Sequence, residues 1–227
     1  MGKDPRFIVA LDFPTREKVF QLVDQLNPKL CRLKVGITLF TRYGPDFVEA
    51  LMQKDFSVFL DLKFHDIPYQ VAGACRSAAE LGVWMLTIHT LGGLEMCEAA
   101  ANAISGYSHR PRLIGVTILT SANQDDLAAV GIEKNLEASV RDLATMAEDS
   151  GLDGVVCSPL EVADLRQQAD KHFLMVTPGI RLASDFPDDQ KRVMTPEEAF
   201  KAGSDYLVIG RSITQAENPL EILQALQ

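Results

Sequence analysis

Eight short runs rich in Val, Ile, Leu and Phe recur along the chain, each followed by a longer amphipathic segment, and this alternation limits the fold more than any other feature. The runs occupy residues 7–11, 31–35, 58–62, 83–88, 113–119, 152–157, 173–176 and 206–209. They are short and rich in apolar residues, as strands buried on both faces should be. The intervening segments carry helix signals. Thr15, followed by Glu17 and Lys18, opens a stretch whose Val19, Leu22, Val23 and Leu26 share one helical face, and Pro196 with Glu197 and Glu198 opens another. Strands that alternate with helices pair in parallel. Eight units in 227 residues, about 28 each, fill a closed α/β barrel of the (β/α)₈ TIM type with little left over. An open doubly wound sheet is the competing arrangement, but no GxGxxG or GxxxxGK[ST] loop supports a dinucleotide or nucleoside-triphosphate site. No low-complexity stretch or Pro/Gly/Ser linker divides the chain, so residues 1–227 are expected to form a single barrel domain.

Composition narrows the partners. With 22 basic and 31 acidic side chains the net charge is −9, which disfavours nucleic acid. No apolar run exceeds about five residues, far short of the roughly 20 a membrane helix needs, and charges at Lys3, Asp4 and Arg6 do not resemble a secretion signal. A cytoplasmic location without membrane attachment is expected. The four cysteines, at 31, 75, 97 and 157, form neither a CxxC pair nor a Cys-His cluster, so reduced thiols filling core space are expected and no metal site is read.

In a parallel barrel the chemistry gathers at the carboxyl ends of the strands. The third run is the most informative there. Side chains alternate along Ser57-Val-Phe-Leu-Asp-Leu-Lys63, which sends Val58, Leu60 and Leu62 to one face and Phe59, Asp61 and Lys63 to the other. Asp66 follows in the next loop, just before Pro68, while Asp12 closes the first run and Lys34 lies near the end of the second. Charges buried at a barrel mouth must pair, and Lys34, Asp61, Lys63 and Asp66 are expected to form an alternating network with catalytic use. Two later loops, Pro178-Gly-Ile-Arg181 and Ile209-Gly-Arg-Ser212, fall where barrels commonly hold phosphate. There Gly210 allows close backbone approach and Arg181 and Arg211 supply charge. The polar stretch 182–192, which includes Gln190, reads as a loop able to close over an anion. The four histidines, at 65, 89, 109 and 172, are read as hydrogen-bonding or solvated groups, and no GxSxG elbow is present.

Asp61-Leu-Lys-Phe-His-Asp-Ile-Pro68 resembles the signature of the orotidine 5′-phosphate decarboxylase family. The likeness extends over essentially the whole chain, through Val9-Ala-Leu-Asp12, Leu33-Lys-Val-Gly36, Gly115-Val-Thr-Ile-Leu-Thr-Ser121, Val176-Thr-Pro-Gly-Ile-Arg181 and Val208-Ile-Gly-Arg211. The resemblance implies that Lys63 is the proton donor, flanked by Asp61 and Lys34, and that Asp66 reaches into the site of a partner subunit in a homodimer. It implies further that Asp12 and Lys34 hold the ribose, that Thr120 contacts the pyrimidine, and that Arg181, Gln190, Gly210 and Arg211 grip the phosphate. The implied reaction turns orotidine 5′-monophosphate into uridine 5′-monophosphate and uses no cofactor. Two places depart from the family's usual pattern: Tyr69-Gln70 stands where Asn-Thr or a similar pair is usual, and Thr87-Ile-His89 where Asn-Val-His is common. Two other readings remain open. One is a Mg²⁺-dependent sugar-phosphate decarboxylase or aldolase of the same barrel group, which needs a carboxylate where this chain has Lys34. The other is a barrel that binds a nucleotide without turning it over.

Overall fold

A computed structural model describes residues 4–182 and 194–227. Each of the eight apolar runs overlaps one strand: β1 (Phe7–Ala10), β2 (Cys31–Gly36), β3 (Val58–Phe64), β4 (Met85–His89), β5 (Arg112–Val116), β6 (Gly154–Val156), β7 (Leu174–Thr177) and β8 (Tyr206–Ile209). They pair in chain order, all parallel, and the sheet closes because Phe7, Ile8 and Val9 of β1 pair with Leu207, Val208 and Ile209 of β8. That closure excludes the open doubly wound sheet. Boundaries differ from the apolar runs where a neighbour runs out. The run 113–119 stops being a strand at Val116, whose partners His89 and Val156 are themselves the last residues of β4 and β6.

Strand alternation sorts the side chains into two layers. Ile8, Ala10, Phe59, Met85, Ile114, Val176, Tyr206 and Val208 pack together inside the barrel. Val9, Leu33, Val58, Leu60, Leu86 and Leu113 point the other way and join the larger cluster beneath the helices. Each aliphatic side chain fully withdrawn from water contributes about 1.5–3 kcal/mol, so this double burial is the main source of stability. The helices begin where the sequence marks them. Thr15 Oγ1 accepts from the Lys18 N–H at 3.4 Å to cap Arg16–Val23, although Leu26 lies beyond the helix end and is buried there from a turn. Thr195 and Glu198 form a reciprocal capping box on Pro196–Ala202. Among the described residues no helix is long and apolar enough to cross a membrane. All four thiols are free and buried, and burial pushes those of Cys31 and Cys75 up to about 12, which makes them packing groups rather than nucleophiles.

The amino-terminal end of the barrel is plugged. Arg32 is 5% exposed, pairs with Asp4 and stacks 3.9 Å from the centre of the Trp84 ring. Arg112 donates to Tyr206 Oη at 2.8 Å, and that hydroxyl donates to Asp4 Oδ2 at 3.0 Å. On β2, Arg32 thus serves one end of the interior, and Lys34, two residues on, the other. A side chain at Gly154 would lie 2.2 Å from the Leu174 carbonyl oxygen, a backbone atom of β7 that cannot swing aside. Gly154→Ala is therefore expected to lower stability by about 2–3 kcal/mol in urea unfolding; an unchanged midpoint would contradict this tight β6–β7 seam.

Candidate active site

The register of β3 builds the site. Against β2 it runs true as far as Gly36 opposite Asp61, but against β4 it slips, with Leu60 opposite Leu86 and Phe64 opposite Ile88. Between those pairs β3 carries two more residues than β4, and Lys63 absorbs the excess with φ 53°, in the left-handed region. Such a conformation costs a side-chain-bearing residue about 1 kcal/mol or more and persists only where its surroundings impose it. Simple alternation put Lys63 on the inward face; in the folded chain it reaches the mouth from a bulge.

Four charges meet there. Lys63 Nζ donates to Asp61 Oδ1 at 2.8 Å, and Lys34 Nζ lies 3.5 Å from Asp61 Oδ2 and 3.7 Å from Asp12 Oδ1. Asp61 and Lys34 are each 12% exposed, against 34% for Lys63 and 73% for Asp12. Burial alone raises the Asp61 carboxyl. The Lys34 and Lys63 charges, with hydrogen bonds from Lys63 and Thr87, outweigh it and hold the group below its ordinary range. Asp66 does not join this network within one chain. It follows the end of β3, is exposed, and its Oδ1 accepts from the Ile67 N–H at 2.6 Å. The sequence alone points to a network of Lys34, Asp61, Lys63 and Asp66; within one chain the contacts run Asp12–Lys34–Asp61–Lys63 instead, and Asp66 lies outside them.

Three cavities converge on Lys34, which lines them all. One, of about 370 Å³, lies over Asp12, Gly36, Thr38, Asp61 and Lys63. A narrower one, of about 170 Å³, runs from Asp61 and Lys63 between Phe59, Ile118 and Thr120, so it is apolar along most of its walls. The largest, about 540 Å³, holds Arg181, Gly210 and Arg211 with Gly179, Thr214 and Gln215. Arg181 is set by a parallel bridge in which its N–H donates to the Met194 carbonyl at 3.1 Å, after Gly179 turns the chain at φ 78°. Gln190 lies outside the described residues, as does most of the 182–192 stretch. Sequence reasoning missed Thr38, in the first turn of the helix Ile37–Met52, and Thr214 and Gln215, at the end of the short helix Arg211–Thr214, and it assigned no role to Thr87, the one hydroxyl in the run 83–88. His89 sits 5.4 Å from His65, ring to ring, and burial followed by the His65 and Lys63 charges lowers its pKa, which keeps it neutral near pH 7.

A closed parallel barrel with its charges gathered at the carboxyl ends of the strands defines a (β/α)₈ barrel enzyme. The chain belongs to the family described as "Orotidine 5'-phosphate decarboxylase / HUMPS family", whose model matches residues 5–226. It is 56% identical over 225 residues to an orotidine 5′-phosphate decarboxylase of Coxiella burnetii, covering 98% of this chain and 95% of that one. With an orotidine 5′-phosphate decarboxylase of Legionella pneumophila it shares 54% over 223 residues, covering 98% and 97%. The crystal structure of orotidine 5′-phosphate decarboxylase from Lactobacillus acidophilus superposes with a TM-score of 0.87 at 38% identity, covering 98% of this chain and 97% of that one.

Because folding depresses the Asp61 pKa from its ordinary 3.8, the stability it adds is complete above that value and is lost as pH falls through the lower folded value. In urea unfolding, the difference between wild type and Asp61→Asn is expected to be constant above about pH 5 and to drift in favour of the variant below about 4. A difference that stays constant down to pH 3 would mean that Asp61 is not held by the two ammonium groups.

Proposed function

We propose that this chain decarboxylates orotidine 5′-monophosphate to uridine 5′-monophosphate in de novo pyrimidine nucleotide synthesis, in the cytoplasm and with no metal or organic cofactor. The observation that carries the proposal is the Lys63 ammonium bound to a buried carboxylate at 2.8 Å in the wall of a largely apolar slot, which shares Lys34, Pro178 and Val208 with an arginine-bearing cavity. The slot suits a pyrimidine, with Thr120 on its wall. Asp12 and Lys34 suit the ribose hydroxyls between slot and large cavity. Arg181, Arg211 and the backbone at Gly210 suit the 5′-phosphate, joined by Gln190 on the resemblance.

The bond that breaks joins C6 of the ring to its carboxylate. Its electron pair stays on C6, CO₂ departs, and the proton that ends on C6 comes from Lys63, whose neutral amine then recovers one from water. A carbanion poorly delocalised into the ring needs preorganised charge, and an ammonium fixed by Asp61 and Lys34 supplies it without reorganising at the moment of reaction. Asp61 has a second effect: a carboxylate beside the substrate's own carboxylate raises the ground state more than a transition state that is shedding that charge. Phosphate binding far from C6 contributes the energy that offsets this repulsion. Lys34 weighs against the Mg²⁺-dependent reading, because its ammonium stands 3.5 Å from the carboxylate that would hold the metal.

The same proposal completes the site by dimerisation. Asp66 is exposed beside Ile67 and Tyr69, 63% and 77% exposed at the start of the helix after β3, and Leu91 and Leu94, 46% and 50% exposed, stand at the corresponding place after β4. A second copy covering this patch would carry Asp66 toward its neighbour's mouth, with Gln70 on the same exposed helix start.

Chelator-treated protein is expected to consume orotidine 5′-monophosphate with loss of the orotate absorbance, and Lys63→Ala to slow this by about 10³-fold or more while still binding uridine 5′-monophosphate. A requirement for added metal would favour the sugar-phosphate reading, and binding without turnover by wild type would favour the non-catalytic barrel. Mixing Lys63→Ala with Asp66→Ala chains is expected to restore about one quarter of wild-type activity, since half the dimers then carry one intact shared site. No recovery after confirmed subunit exchange would assign each site to one chain.

A further inference from the structure

The β4 residue that faces the excess length of β3 is Thr87, whose side chain is fully buried. Its hydroxyl has two partners, both on β3. The Lys63 backbone N–H donates to Oγ1 at 2.9 Å, and Oγ1 donates its own proton to Asp61 Oδ1 at 3.0 Å. A hydroxyl has one proton to give and two lone pairs, so a single threonine serves both groups. Asp61 Oδ1 is also the oxygen that receives the Lys63 ammonium. The contacts therefore close a ring in which Thr87 fixes the backbone of Lys63, the Lys63 side chain reaches Asp61, and Asp61 returns to Thr87.

We infer that Thr87 is a positioning residue for the decarboxylation: it holds the left-handed backbone at Lys63 and orients the Asp61 carboxylate, so that the ammonium is aimed before substrate arrives. The inference rests on the reading of Lys63 as proton donor. Lys63 has neither glycine's freedom at φ 53° nor a regular ladder partner at the bulge, and the Thr87 hydroxyl supplies the acceptor that the slipped strand has lost. Valine would fill nearly the same volume yet offer neither acceptor nor donor. The Lys63 amide would then be buried unpaired, and the backbone would relax toward an ordinary φ, turning Nζ away from its line. Among the described residues, Thr87 is not part of the lining of the arginine-bearing cavity, so the chemical step and binding should separate.

The test measures kcat and KM for orotidine 5′-monophosphate, with the Kd for uridine 5′-monophosphate, in wild type, Thr87→Val, Thr87→Ser and Thr87→Cys. Thr87→Val is expected to lose about 10- to 100-fold in kcat with KM and Kd within about threefold, and Thr87→Ser to stay within about threefold of wild type. If Thr87→Val does not fold, the serine and cysteine variants, which differ by one atom, decide: the thiol is a poor donor and acceptor, so Thr87→Cys is expected about tenfold or more below Thr87→Ser in kcat. Equal kcat in that pair, or an undiminished kcat in Thr87→Val, overturns the positioning role while leaving the decarboxylase reading intact. A wild-type protein that binds the nucleotide without turnover overturns the reading on which it rests.

Discussion

One carboxylate organises this molecule's chemistry. Asp61 is removed from water at the end of β3, and an isolated charge there would neutralise itself or destabilise the fold by several kcal/mol. Lys34 from β2 and Lys63 from its own strand keep it ionised, one on each oxygen. The dependence is mutual, because the carboxylate also holds two ammonium groups in one cavity that would otherwise repel each other. Removing any member leaves the others unbalanced, a loss of about 3–5 kcal/mol for a buried pair.

The barrel makes that arrangement possible by keeping its ends different. At the amino-terminal end Arg32, Arg112, Trp84, Tyr206 and Asp4 pair and stack with one another and fill the interior. At the other end charges are paired but open to cavities, with room for a ligand between the ammonium groups and the arginines. Alternation along β2 supplies both ends, Arg32 to the plug and Lys34 to the mouth. Along β3 regular alternation ends before Lys63: the strand slips against β4, and Lys63 serves the mouth from that bulge at the cost of a left-handed residue. Stability comes from the two apolar layers, and the strained, charged rim draws on it, the usual relation between scaffold and site.

Much of this was legible in the residues because the signals are local. Eight buried strands announce themselves as apolar runs, and Thr15 and Pro196 mark helix starts by chemistry that needs no tertiary context. Lys34, Asp61, Lys63, Arg181 and Arg211 were found by asking which charges terminate strands. What escaped depends on pairing between distant segments. The bulge at Lys63 arises from the register of β3 against β4, so neither strand's own sequence reveals it, and Thr87 acquires its meaning only opposite that bulge. Asp66 shows the reverse error: three residues from Lys63 it looked like a member of the same network, but the strand ends between them and the loop carries it to the surface. Thr38, Thr214 and Gln215 reach the cavities from the ends of helices that follow β2 and β8, where a polar residue is as ordinary as on any surface.

The geometry of proton delivery is open to direct observation. In a crystal structure with uridine 5′-monophosphate bound, Lys63 Nζ is expected within about 3–3.5 Å of ring carbon C6, still bonded to Asp61, with the phosphate between Arg181 and Arg211. A ring seated with C6 beyond about 5 Å from that nitrogen, or a Lys63 side chain turned out of the mouth, would contradict it.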